Sequence, residues 1–427
     1  MRVAIVTEYL DIRGGTQRVV LNLAQGLQAR GHDVRVFTAA LGPACFPELQ
    51  AGLTIHAGVR TASDEIPEWR KVTYATYSQH LIQKVARFKR LIDEQREAER
   101  RFLALFEAYG RDIEVWNPHE SGGVAWACLR LRTDGRGVVW QCNEPIGRSS
   151  YRDFQNAALR KANVYLQYLY PPLAYDRYRM RRIRCVSVLD HRVARQTRAK
   201  FSVEPDVVRC GVTNDWLLED RTCTAAARDR LRHRIGLKES DFLVGAIGHW
   251  YPVKRYEDVL RAIARIPRQN IHYLVHGPTA VNRPYADLVY STAREFGLEE
   301  RFHVIDGLPR DDHELRSIYD GLDLFVYPCW SQTWGLAVIE SMSRNLPTIV
   351  SRGSGAHEVV QHGETGFLYQ SGDTEALASI LSKLQEDPDL CKTTGAAAGR
   401  YVAAHLTFSL YLDRMEALMK RSLVTRA

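Results

Sequence analysis

No apolar run in this 427-residue sequence approaches the roughly 18 residues that a helix needs to cross a bilayer, so a membrane span is not expected. Nor is there a basic leader, an apolar h-region or a cleavage site. "MRVAIVTEYL" reads as a strand from its second residue, so export is not expected and the cytoplasm is the expected compartment. Low-complexity tracts and internal repeats are absent, which argues against disorder. The eight cysteines, Cys45, Cys128, Cys142, Cys185, Cys210, Cys223, Cys329 and Cys391, form no C-x-x-C pair and no metal-type spacing, and read as reduced, structural thiols. No cluster of carboxylates or histidines has the spacing of a metal site, and G-x-G-x-x-G is missing from the first strand-to-helix turn. Neither a metal nor a nicotinamide cofactor is therefore expected.

What is present is a globular balance, 45% hydrophobic and 25% charged, in a length that suits two domains of about 200 residues each. Lys and Arg outnumber Asp and Glu by 58 to 50, and the net charge of +8 favours anionic partners. Much of the excess sits in "WRKVTYATYSQHLIQKVARFKRL" and "DRYRMRRIR", both in the N-terminal half and both interleaved with aromatic residues. Stretches of this kind lie on anionic membrane surfaces or along nucleic acid, and the solvated faces of ordinary helices look similar. No nucleic-acid-binding motif accompanies them, which leaves a peripheral anionic membrane surface and plain solvation as the two readings.

The hydrophobic pattern alternates strand and helix. "RVAIVTEYL" is a buried-type strand, and "TQRVVLNLAQGLQARG" a helix with Val19, Val20, Leu23, Ala24 and Leu27 on one face and Gly31 as its stop. "DVRVFTA" returns as a parallel neighbour of the first strand. Gly14 and Gly15 fall at the first strand-to-helix handover, where backbone amides meet ligand anions, although such a turn is also simply a turn. "DIEVWNPHE" and "GVVWQCNEP" read as strands whose ends carry His119, Glu120, Asn143 and Glu144. The alternation then continues through "RCVSVLDHRVARQTRAKF" and "DVVRCGV" to about residue 213. A polar, Arg-rich passage near 214 to 240 reads as the linker. Beyond it, "FLVGAIG", "IHYLVHG", "FHVIDGL", "DLFVYPC" and "PTIVSRG" are five strands with helices between them, the pattern of a doubly wound parallel sheet. "DTEALASILSKLQEDP" and "YVAAHLTFSLYLDRMEALMKRSL" read as closing helices.

The order of "GG" after the first strand, "GHWYPVKRYEDVLRAI", "DLFVYPCWSQTWGLAVIESMSRNLPTIVSRGSGAHEVV" and "GETGFL" resembles the retaining glycosyltransferases of family 4, across nearly all of the second half and the ends of the first. The resemblance implies the GT-B architecture, an α/β fold of two Rossmann-like doubly wound domains facing across a cleft. On that pattern 1–213 is an acceptor-binding domain and 214–400 a nucleotide-sugar-binding domain, with the helix at 401–427 packing back on the first.

The family's G-R-x4-K-G signature appears here with Gly248 and Lys254, and with His249 where the Arg would be. Fixed cations there stabilise a nucleoside diphosphate as it leaves, which Lys254 does at any physiological pH and His249 only when protonated. The second signature, E-x7-E, reads Gln332 and Glu340. The resemblance gives Glu340 the ribose hydroxyls, a diol that suits a carboxylate's two acceptors, and gives position 332 the donor sugar. Gln332 keeps the length of Glu but exchanges the charge for an amide, which points either to altered sugar choice or to a weakened site. Trp334 replaces the Phe of "GFG" ahead of Gly335, against the sugar or in the core. Gly353, Gly355 and Glu358 match further donor-side positions. His119 matches a histidine that approaches donor sugar and acceptor, with Glu120, Asn143 and Glu144 beside it on the acceptor side.

The resemblance implies a metal-independent retaining transfer of a hexosyl unit from a nucleotide-diphosphate sugar to a hydroxyl of a glycan or glycolipid, as in polysaccharide biosynthesis. It proceeds by front-face attack, with the leaving phosphate oxygen taking the acceptor proton. The rival is a non-catalytic sugar-nucleotide-binding partner in a glycan-assembly system, for which the exchanges at 249 and 332 speak and Lys254, Glu340 and Glu358 do not.

Overall fold

The computed structural model describes residues 1–61, 100–119, 136–143, 183, 185–217, 221–268 and 270–424, leaving aside the side chains of 200 and 221–224. Of the two basic aromatic stretches only Ile183 falls within that set. The described residues divide into two compact units, one holding the chain up to Cys210 together with Ser409 onward, the other Gly211–Phe408.

The first unit is a seven-stranded parallel sheet in the order β3-β2-β1-β4-β5-β6-β7. Its first elements are β1 (Arg2–Leu10), α1 (Gly15–Ala29), β2 (Asp33–Leu41) and β3 (Thr54–Arg60). They are followed by β4 (Val115–Pro118), β5 (Gly137–Gln141), β6 (Cys185–Val188), α2 (His191–Phe201) and β7 (Asp206–Val207). Val3, Ala4, Ile5 and Val6 are wholly buried because β1 is covered on both faces, and it pairs β2 on one side and β4 on the other. On α1, Val20, Leu21, Leu23, Ala24 and Leu27 face the core, whereas Val19 is only half-buried. The strand β3 went unread in the sequence. It is an edge strand with a mostly half-buried or exposed face and no continuous apolar run.

The second unit opens with α3 (Arg221–Arg234) and then β8 (Phe242–Ile247), α4 (Tyr256–Ile263), β9 (Ile271–His276), α5 (Arg283–Glu295) and β10 (Phe302–Ile305). It continues with α6 (Asp312–Asp320), β11 (Leu324–Tyr327), α7 (Leu336–Ser343), β12 (Thr348–Ser351), β13 (Phe367–Tyr369), α8 (Thr374–Glu386) and α9 (Pro388–His405). Its sheet is six-stranded and parallel, in the order β10-β9-β8-β11-β12-β13. The sixth strand is only three residues long, too short to show a pattern.

The passage read as a linker is a correction, since much of it is α3. That helix buries only Ala227 and Leu231 among its described apolar side chains and is rich in arginine, which disguised it. Its Arg232 is also buried, held by Asp323 at 3.1 Å and by the carbonyls of Lys238 (2.6 Å), Glu239 (3.1 Å) and Asp241 (2.6 Å). The closing helix read as continuous is also two. At the break, Val212 donates to the Leu406 carbonyl at 2.9 Å and accepts from the Phe408 amide at 2.7 Å, backbone groups that an unbroken helix would use internally. The helix beyond, α10 (Phe408–Val424), belongs to the first unit and buries Tyr411, Met415, Leu418 and Met419. Arg30 grips it through Asp413 at 2.6 Å and Glu416 at 2.7 Å, and Lys420 and Arg30 hold the Glu416 carboxyl down to about 2.

Between the neighbouring strands β9 and β10, the His272 and His303 rings stack and their Nδ1 and Nε2 atoms lie 3.0 Å apart, with Asp241 3.6 Å beyond His272. Burial and then the adjacent His272 push His303 down to about 4, and burial lowers His272 also. The unfolded chain then takes up protons at a higher pH than the folded one, so stability falls as pH falls. We expect the thermal transition to drop between about pH 6.5 and pH 4 and His303→Gln to flatten that drop in calorimetric scans; an unchanged slope would refute the assignment.

Candidate functional site

Counted within itself, the second sheet runs 3-2-1-4-5-6, so the direction of winding reverses between β8 and β11. In such sheets ligands bind outside the carboxyl ends of the strands at that switch point. Two loops leave from it, 248–255 after β8 and 328–335 after β11.

The first loop turns at Gly248, whose φ of 147° is a conformation that side-chain-bearing residues rarely adopt. A Cβ there would lie 3.4 Å from both Cε and Nζ of Lys254, so the glycine leaves room for the ammonium. His249 follows, half-buried, its ring edge-on to Tyr251 at 6.1 Å. A short 3-10 turn, Pro252–Lys254, brings Lys254 inward until it is 8% exposed. Its Nζ donates to Gln332 Oε1 at 2.7 Å and to Tyr327 Oη at 3.2 Å, and lies 4.9 Å from the Tyr327 ring centroid.

Gln332 Oε1 also accepts from the Tyr327 hydroxyl at 2.7 Å and from the Cys329 thiol at 3.3 Å. Burial raises Tyr327 well above its ordinary value and raises Cys329 also, so both keep their protons and donate. The main chain of Gln332 is tied as well, its carbonyl accepting from the Gly355 amide at 2.8 Å and its amide reaching the Gly353 carbonyl at 3.4 Å. Gly335 begins α7 directly over Tyr327, whose ring a Cβ would meet at 2.9 Å.

The structure therefore gathers Gly248, Lys254, Gly335, Gly353 and Gly355 around one residue, Gln332. Glu340, on α7, is buried and accepts from the Tyr319 hydroxyl at 2.9 Å. Glu358 is half-buried on the turn Gly355–Val359, which Ser354 caps through the Ala356 amide at 3.2 Å. Trp334 is buried, and its indole N–H has no partner among the described residues. Tyr327, Cys329 and Tyr319 were missed in the sequence, where a Tyr or Cys in an apolar strand or helix reads as core. Only the place of Tyr327 at a strand end pointed to it.

In the first unit Gly14 caps α1 through the Arg18 amide at 3.0 Å and Gly15 is exposed. Arg13 beside them pairs with Glu48 at 2.8 and 2.9 Å. His119 is wholly buried at the end of β4, and burial pushes it down to about 3. Asn117 donates to the Val139 carbonyl at 2.7 Å, which turns its Oδ1 to His119 Nε2 at 3.0 Å. The imidazole is thus neutral with its proton on Nε2, and Nδ1 has no partner among the described residues. Asn143 is half-buried and accepts from Gln141 at 3.3 Å, which in turn accepts from Ser187 at 2.6 Å. Glu120 and Glu144 lie outside the described residues. Among the described residues no three His, Cys, Asp or Glu side chains group in a way that could hold a metal ion.

Comparison with known proteins matches both halves. The model of Glycosyltransferase Family 4 fits residues 13–216 and that of Glycosyl transferases group 1 fits residues 227–400. A D-inositol 3-phosphate glycosyltransferase of Corynebacterium efficiens is 28% identical over 171 residues, 38% of this chain and 39% of that protein. One of Rhodococcus erythropolis is 30% identical over 179 residues, 41% and 40% of the two chains. The match thus spans about two fifths of the length of these curated relatives. Among solved structures, sucrose-phosphate synthase from Thermosynechococcus elongatus superimposes with a TM-score of 0.76 at 18% identity, over 99% of each chain. The Anabaena protein HepE, solved with UDP and glucose, does so with a TM-score of 0.69 at 16% identity, over 99% of this chain and all of that one. At such identities the likeness shows the fold, GT-B.

The packing of Gly335 on Tyr327 makes a direct test. Gly335→Ala forces the ring aside and with it the Lys254 and Gln332 contacts, and is expected to cost about 1–3 kcal/mol in chemical denaturation. A variant as stable as the parent would show that the ring is not fixed.

Proposed function

The chain belongs to the group 1 glycosyltransferases, and from that premise we propose that it moves a hexosyl unit from a nucleotide-diphosphate sugar to a hydroxyl of a glycan or glycolipid, with retention of anomeric configuration. The observation that carries the reading is the buried Lys254 ammonium at the switch point of the second sheet, bonded to the neutral Tyr327 and Gln332. A cation so placed is suited to the charge that gathers on a diphosphate as its bond to the sugar breaks. Glu340 takes the ribose diol, and Tyr319 fixes the carboxylate's orientation through one of its oxygens. Position 332 faces the donor sugar, with Gly355 and Glu358 alongside. His119 and Asn143 serve the acceptor.

In the transfer the sugar–phosphate bond breaks and the acceptor oxygen bonds to the same face of the anomeric carbon. The acceptor's proton passes to the departing phosphate oxygen. With Lys254 supplying the fixed cation, the step needs no metal. No described helix is long and apolar enough to cross a membrane. The proposal places the protein in the cytoplasm and at the inner membrane face when its acceptor is lipid-linked.

A thermal-shift and hydrolysis screen against a panel of nucleotide-diphosphate sugars tests this. One donor is expected to shift the melting transition selectively and to release nucleotide slowly. Glu340→Ala should abolish the shift, and Lys254→Ala should lower turnover by about 10²–10³-fold. Proton NMR of the glycoside formed should show the donor's anomeric configuration. No shift with any donor would overturn the reading, and an inverted product would overturn retention.

A further inference from the structure

The recorded partners of the Lys254 ammonium, Tyr327 at 3.2 Å and Gln332 at 2.7 Å, are neutral, as is the protonated Cys329 thiol beside them. No carboxylate pairs with it among the described residues. A buried cation is costly without a counter-charge, and since no described carboxylate supplies one, that role falls to a ligand. Had position 332 been Glu, the oxygen at 2.7 Å would belong to a carboxylate, and the ammonium would be neutralised before any ligand arrived. Gln and Glu have the same shape. The amide therefore changes the charge of the site and leaves its geometry alone.

The second departure from the family signature lies on the neighbouring loop. Gly248 sits against Lys254, and the residue after it is His249 in place of Arg. At positions 249, 254 and 332 the signature sets two fixed cations against one carboxylate, whereas this chain sets one fixed cation against none; Arg255, which stands where the signature has Gly, is paired with Asp258. Both leave a single net positive charge beside the leaving group.

We infer that His249 and Gln332 are a matched pair, the charge given up at 249 being offset by the carboxylate given up at 332. Gln332 is a positioning residue that holds Lys254 through its carbonyl and leaves the ammonium's charge for the ligand. The idea that 332 chiefly reads the sugar gives way to one in which it sets the hold on the diphosphate. The inference rests on the proposed reading of this site as the seat of a nucleoside diphosphate.

Calorimetric titration of the whole chain with UDP and GDP, and with UMP and GMP, tests it on wild type, Gln332→Glu, His249→Arg and the double variant. Gln332→Glu is expected to weaken the diphosphate that binds by about tenfold, and the monophosphate less. His249→Arg should tighten the diphosphate, and the double variant should return to within about threefold of wild type. Melting temperatures taken alongside confirm that each variant is folded. Three results would each overturn the pairing: unchanged affinity in Gln332→Glu, equal losses for diphosphate and monophosphate, or a double variant as weak as Gln332→Glu. Failure of the wild type to bind either diphosphate would count against the underlying reading of the site instead.

Discussion

One acceptor atom, Gln332 Oε1, fixes the geometry on which the second unit's site depends. It receives Lys254 from the loop after β8, Tyr327 from the end of β11, and Cys329 from the loop that Gln332 itself occupies. Through its main chain the same residue is stitched to the loop after β12. Three strand ends of a parallel sheet thus converge on a single residue. Each has its backbone groups committed to the ladder and cannot shift alone. The side chain's orientation is settled by chemistry, since all three neighbours are donors and only the carbonyl end of the amide can face them.

The convergence is reinforced from the other side of the loop. Arg255 follows Lys254 in a left-handed conformation, φ 52°, which costs a non-glycine residue about 1 kcal/mol. Its guanidinium bonds Asp258 at 2.5 and 2.8 Å and lies 4.8 Å over the Trp330 ring, two residues before Gln332. The charge of Arg255 is therefore spent on Asp258, whereas Lys254 meets no carboxylate among the described residues. Two adjacent cations have opposite fates because one meets a carboxylate and the other an amide.

Legibility followed length and periodicity. The second sheet was readable because five of its strands are apolar runs separated by amphipathic helices, each signal being local. The strands β3 and β13 were not, one half-exposed at an edge and the other three residues long. Nor was the break after His405, which is imposed by Val212, a residue far away in sequence and invisible to any window. Resemblance to the family's signatures picked out Gly248, Lys254, Gln332 and Glu340, but not what holds them. Tyr327 and Tyr319 look like core residues in a strand and a helix, and they are buried; their function lies in where the hydroxyl ends up. His119 shows the converse. Its position at a strand end was legible, and its complete burial was not.

That burial bears on where the proton goes in the proposed transfer. An imidazole pushed down to about 3 and already committed at Nε2 to Asn117 is a poor base at neutral pH. A terminal phosphate oxygen, with a second ionisation near pKa 6, binds a proton far better. The described polar groups at the strand ends of β4 and β5 are neutral hydrogen-bonding groups, His119, Gln141 and Asn143, whereas the second unit carries a buried ammonium with no carboxylate partner among the described residues. An acceptor hydroxyl is neutral and needs orientation; a departing diphosphate is anionic and needs charge. The described groups at these strand ends match that difference, and a phosphate oxygen that takes the proton removes the need for a protein base, a need that so weak a base as His119 would leave unmet.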